Sequence, residues 1–144
     1  MQALPHNYQV NASSSINHSV ILTSTGLPAL ETDAPAEFGG PGDLWSPETM
    51  LVGAIANCFI LSFRAVAAAS KMDWEKIDCD VEAVLERVER VTRFTRVILK
   101  VKLLVNDNDK REQAEKLLDK SKSICLITNS MSAEVVMEKI IITG

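Results

Sequence analysis

The chain is short of the residues from which most metal and redox sites are built. It has two histidines, His6 and His18, and three cysteines, Cys58, Cys79 and Cys125, among 144 residues. The cysteines are too few and too far apart for a disulfide framework, and no C-x-x-C pair offers a zinc site. No metal and no cofactor is expected. There is also no excess of positive charge: the formal net charge is -4, with acidic and basic residues interleaved. That composition lacks the basic footprint of a nucleic-acid binder.

Other absences bear on location. The opening "MQALPHNYQV" has no positive segment followed by an apolar one, so no secretory signal is visible and a cytoplasmic protein is expected. The longest apolar run lies within Met50 to Phe63, is broken by Asn57 and is followed by Arg64. It falls short of the ~20 residues a bilayer span needs, so a buried helix is expected and no membrane partner. No repeat, low-complexity tail or linker divides the sequence, and its length suits a single domain over 1–144.

What is present reads as an α+β chain. "YQVNA" (Tyr8 to Ala12) and "HSVILTS" (His18 to Ser24) are short strands joined by a polar turn. "GLPALETDAPAEFGGPGDLWSPE" collects Gly, Pro, Asp and Ser into a long loop, the kind of segment that often carries function. Ser46, Pro47 and Glu48 supply an N-cap, a first-turn proline and a first-turn acid, so a helix should start there and run to about Lys71. Its apolar residues face all directions, the pattern of a central helix buried on most sides.

From Ile77 the period changes to two. Ile77, Cys79, Val81, Ala83 and Leu85 should face inward on one strand and Val97, Leu99, Val101, Leu103 and Val105 on the next, as an antiparallel pair linked near Glu89 to Thr92. "NDNDKREQAEKLLDKSK" predicts an amphipathic helix with Ala114, Leu117 and Leu118 as its stripe. A cysteine turn, "SICLITNSM", and a closing strand follow.

Each candidate residue has a structural reading beside a chemical one. Free cysteine is commonly a small buried hydrophobe, which would account for Cys58 and for Cys79 on the inward strand face. As a redox thiol, Cys58 would need a cation nearby to stabilise its thiolate against the apolar surroundings that raise it. Cys125 follows a lysine-bearing helix end and precedes a short new helix whose N–H groups would favour a thiolate. Glu48 would satisfy the helix dipole in any case. Ten helical residues at about 1.5 Å rise put it roughly 15 Å from Cys58. The two could share a site only if two copies of the helix packed across a two-fold axis.

Taken together, "PAEFGGPGDLWSPETMLVGAIANCFILSF" and "CLITNS" resemble the first- and second-cysteine motifs of the OsmC/Ohr family, the osmotically inducible and organic hydroperoxide resistance proteins. The resemblance extends to the element order over nearly the whole chain. It implies the OsmC-like α+β fold, antiparallel sheets around a long central helix, in an intertwined homodimer. It implies a cysteine-based peroxidase acting on organic hydroperoxides, with Cys58 peroxidatic, Cys125 resolving and Glu48 the interface carboxylate. The reductant would be a dithiol or a lipoyl-bearing protein.

Two departures stand against the family pattern. Family peroxidases carry an arginine in the N-terminal strands or following loop that pairs with the carboxylate and activates the thiolate, yet no arginine precedes Arg64 here. Arg64, six residues past Cys58 and well off its helix face, is a poor same-chain substitute, which leaves Arg93, Arg96 and His18 as candidates. Leu126 also stands where the family commonly has proline. The alternative reading is therefore a non-catalytic member that binds or senses a small apolar or thiol-reactive molecule.

Overall fold

The computed structural model describes residues 1–144, which form two compact units, Met1–Met50 and Leu51–Gly144. In the first, β1 (Asn11–Ser13), β2 (Val20–Thr23) and β3 (Leu30–Thr32) make an antiparallel three-stranded sheet in that order. The strand β3 lies in the stretch expected to be loop. Its three residues are too few to show alternation, and pairing with β2 is what makes them a strand. Apart from Thr32 and Ser46, no residue of this unit is buried.

The Gly-Gly loop has a steric basis. A 3₁₀ turn at Ala36–Phe38 ends on Gly39 at φ 82°, in the left-handed region that favours glycine. At Gly40 a Cβ would meet the Ala34 carbonyl oxygen at 1.7 Å, so no other residue fits that backbone.

The helix α1 (Pro47–Ala69) begins where the sequence places it. Its cap is reciprocal: the Thr49 amide donates to Ser46 Oγ at 3.1 Å and the Ser46 amide to Thr49 Oγ1 at 2.8 Å. At 23 residues α1 is long and apolar enough to cross a membrane by length and composition. The shorter run counted from the sequence stopped at Phe63, and helix continues past Arg64 to Ala69. One stripe is buried, Ile55, Phe59, Phe63, Val66 and Ala67, at the spacing of a single helix face. Leu51, Val52 and Ile60 are only half-buried and Leu61 is 49 % exposed, so within one chain this helix is covered on one side.

The second sheet has the order β4–β5–β6. The strands β4 (Lys76–Val88) and β5 (Val91–Val105) pair antiparallel through a two-residue turn, Glu89 and Arg90, both at positive φ. Such turns match the right-handed twist of the strands. Val97, Leu99, Val101, Leu103 and Val105 are all buried, as the alternation requires. The expectation for Leu85 is corrected: a register shift between Val84 and Leu85 breaks the alternation and leaves Leu85 37 % exposed.

The expected amphipathic helix is α2 (Arg111–Ile124), burying Ala114, Leu117, Leu118 and Ser121. It is followed by the single-turn α3 (Leu126–Asn129) and by β6 (Glu134–Thr143). Here the all-antiparallel expectation is corrected, because β6 runs parallel to β5. Parallel neighbours need a crossover connection, and α2 with α3 provides it. The α+β architecture otherwise stands. The buried stripes of α1 and α2 share one core with the inner residues of β5. Phe63 there meets Trp74 edge to face at 5.5 Å between ring centroids.

Candidate functional site

The chain has three free thiols, Cys58, Cys79 and Cys125. Cys58 projects from the middle of α1 and is half-buried. Cys125 is 1 % exposed and lies at the junction of two helices, ending α2 and capping α3 at φ −63°, ψ 105°. Its carbonyl accepts from the Asn129 amide at 3.0 Å and from Thr128 Oγ1 at 3.2 Å, which fixes the turn around it. The structure brings these two residues near enough for Cys125 to be among the groups that lower the Cys58 thiol.

Two opposed effects set the Cys58 thiol. Burial raises it, as an apolar surrounding disfavours the charged form. Hydrogen bonds from the Ile127 amide, the Cys125 thiol, the Ser62 hydroxyl and the Leu126 amide act the other way, and together they hold it below its ordinary value. No cation takes part. Arg64, six positions along α1, is exposed, as are Arg93 and Arg96 on β5. His18 lies in the turn before β2, where its ring bonds to Ser15 Oγ at 3.1 Å and the Ile16 carbonyl at 2.9 Å.

Cys79 behaves differently. On the inner face of β4 it packs against the core, as its alternation predicts. Burial first, and then the charges of Asp80 and Cys125, push its thiol up to about 12. It stays protonated at neutral pH.

Glu48 is not part of the thiol cluster. It sits in the first turn of α1, ten residues before Cys58, and no ion pair within the chain includes it. Its Oε2 is buried without a hydrogen-bond partner. A buried carboxylate oxygen left without a donor costs free energy unless a donor outside the chain completes it. Sequence reasoning missed Ser62 and the two amides. Ser62 was accessible by spacing, since residues four apart share a helix face. The amides were not, because any non-proline residue at 126 and 127 supplies an N–H.

Residues 40–139 match the OsmC-like protein family, and the chain belongs to it. Uncharacterized protein YmaD of Bacillus subtilis is 25% identical over 107 residues, which is 72% of this chain and 71% of that protein. An OsmC-like protein of unknown function from Vibrio cholerae superposes with a TM-score of 0.86 at 19% identity, over 94% of this chain and 100% of that one. An organic hydroperoxide resistance protein OsmC from Legionella pneumophila gives 0.76 at 25% identity, over 97% and 98%. The organic hydroperoxide resistance protein OhrB of Bacillus subtilis gives 0.67 at 18% identity, over 95% and 98%. The fold is thus that of the OsmC/Ohr family.

Proposed function

We propose that the protein is a thiol peroxidase that reduces organic hydroperoxides through Cys58 and Cys125. The observation that carries this reading is a half-buried thiol held below its ordinary value by groups that include a second, buried cysteine. An inert core cysteine would be pushed upward, as Cys79 is. The likeness to hydroperoxide resistance proteins supports the same class.

The chemistry balances in three steps. The Cys58 thiolate attacks the distal peroxide oxygen; the O–O bond breaks, a sulfenic acid forms and the alkoxide leaves as an alcohol after taking a proton. The Cys125 thiol then attacks the sulfenic sulfur, forming the Cys58–Cys125 disulfide and releasing water. An external dithiol, free or carried on a lipoyl protein, reduces that disulfide by exchange and is itself oxidised to a disulfide. No bound cofactor or metal is required.

The working form is proposed to be a cytoplasmic homodimer. In favour of a second copy, the first unit buries no apolar side chain of its own, and Tyr8, Val10 and Ile16 are exposed there. The half-covered apolar surface of α1 argues likewise. In this reading Glu48 is an interface carboxylate, and its unpartnered Oε2 would be satisfied across the two-fold axis.

The test is intact mass and thiol count after one equivalent of cumene hydroperoxide or hydrogen peroxide is added to the reduced protein. A Cys58–Cys125 disulfide formed faster with the organic peroxide is the expected result. Free thiols after prolonged exposure would move the assignment to a ligand-binding member of the family.

A further inference from the structure

At Cys125 the chain ends one helix and begins another within a single residue, at φ −63° and ψ 105°. Such a break strands the last carbonyls of α2, which have no amide of their own helix to accept from. One of them, the Ser123 carbonyl, accepts from Asn129 Nδ2 at 3.1 Å. The backbone amide of the same Asn129 donates to the Cys125 carbonyl at 3.0 Å. One residue, the last of α3, therefore ties down both the cysteine and the chain two positions before it. The thiol inside this bracket is 1 % exposed.

We propose that Asn129 is a positioning residue that latches Cys125: its carboxamide on the Ser123 carbonyl keeps the resolving thiol shut in the α2–α3 turn, and its release lets that thiol reach the oxidised Cys58. Both cysteines are free, and a disulfide holds its sulfurs at about 2.0 Å, closer than any two unbonded thiols. At least one of them must move to form the bond. Cys58 is set in the middle of a 23-residue helix, so the movement falls to Cys125 at its helix break. The step that follows joins the two sulfurs, and the sulfenic hydroxyl leaves as water with the Cys125 proton.

The latch can open without disturbing the core. Ser123 and Asn129 are both exposed, so water competes for the donor and for the acceptor. Asn129 also lines a cleft of about 410 Å³ with Asp119, Lys122, Ser123, Thr128 and Val135, which gives the freed carboxamide room to swing. The chemistry of the side chain matters as well as its size. A carboxylate in its place could only accept, and would face the Ser123 carbonyl acceptor to acceptor.

The purpose of the latch rests on the peroxidase reading, so its test avoids peroxide. The reduced full chain is labelled with N-ethylmaleimide at neutral pH and each cysteine is scored by peptide mass. Asn129→Ala and the near-isosteric Asn129→Asp are expected to raise the Cys125 rate roughly fivefold, as loss of one hydrogen bond shifts a local opening equilibrium. Cys79, packed against the core on β4, reports general loosening and should keep its rate. Ser130→Ala removes a neighbouring exposed bond, Ser130 Oγ to the Leu126 carbonyl at 2.7 Å, which does not span Cys125, and should leave Cys125 unchanged. Diamide then oxidises the pair without peroxide: it adds to the Cys58 thiolate, and Cys125 displaces it to give the disulfide and a hydrazine. With diamide in excess, that disulfide should form faster by a similar factor in both Asn129 variants. An unmoved Cys125 rate overturns the latch, as do equal rises at Cys79 or in Ser130→Ala, or a disulfide that forms no faster. Faster labelling and faster closure with diamide in a chain that ignores cumene hydroperoxide retire the peroxidase reading and leave the latch standing.

Discussion

Cys125, buried at the junction of α2 and α3, helps hold the thiol of Cys58 in the middle of α1 below its ordinary value. Sixty-seven positions separate them in sequence (125 − 58), and the shared core of α1, α2 and β5 closes that distance.

Replacing Cys125 by serine should separate oxidation from resolution. Cys125→Ser is expected to accumulate a Cys58 sulfenic acid after one equivalent of cumene hydroperoxide, trapped as a dimedone adduct and seen by mass. Cys79 should not take over, because its thiol, pushed up to about 12, is almost wholly protonated at neutral pH. An abundant Cys58–Cys79 disulfide in that variant would refute the resolving assignment.

The same thiol gives the fold an alkaline weakness. A free cysteine ionises near 8.5, whereas Cys79 in the folded chain does so at about 12. The unfolded chain therefore loses this proton first, and stability falls as pH rises from about 8.5 until the folded thiol ionises at about 12. Denaturant midpoints measured between neutral pH and pH 11 should decline, and Cys79→Ala should flatten the slope. An equal slope in both proteins would assign the decline to other groups.

Glu48→Gln tests the interface carboxylate. If Glu48 completes its hydrogen bonding in a partner copy, the neutral amide should slow peroxide turnover and weaken self-association measured by sedimentation. The alkylation midpoint of Cys58 should stay put, since no charge sets it. An unchanged turnover and an unchanged dimer would reduce Glu48 to an acid serving the helix dipole.

The aromatic contact in the core offers a purely structural check. Phe63 is fully buried against Trp74, so Phe63→Ala should cost about 3–5 kcal/mol in chemical denaturation. Leu61→Ala, on the exposed side of the same helix, should cost much less in the monomer. A comparable loss at Leu61 would point to a second surface packed on that side.

Local rules carried a good part of the structure. Ser46, Pro47 and Glu48 set the start of α1, because capping and first-turn chemistry are decided within four residues. The inward set Val97 to Val105 and the stripe Ala114, Leu117 and Leu118 followed from period alone. So did the inward placing of Cys79. What local pattern does not encode went unseen: the three-residue β3, which exists through its partner β2, and the parallel direction of β6, which depends on how a crossover returns. The bulge that turns Leu85 outward belongs to the same group, since an extra residue in one strand leaves no mark in its alternation until the partner is known. By itself the sequence determined which residues are thiols, that no arginine precedes Arg64, and that two motifs of one family stand in order. Only the tertiary structure decided that Cys125 acts on Cys58, lowering its thiol, and that burial disables Cys79. A thiol's ionisation is set by whatever surrounds it in space, and chain neighbours supply little of that.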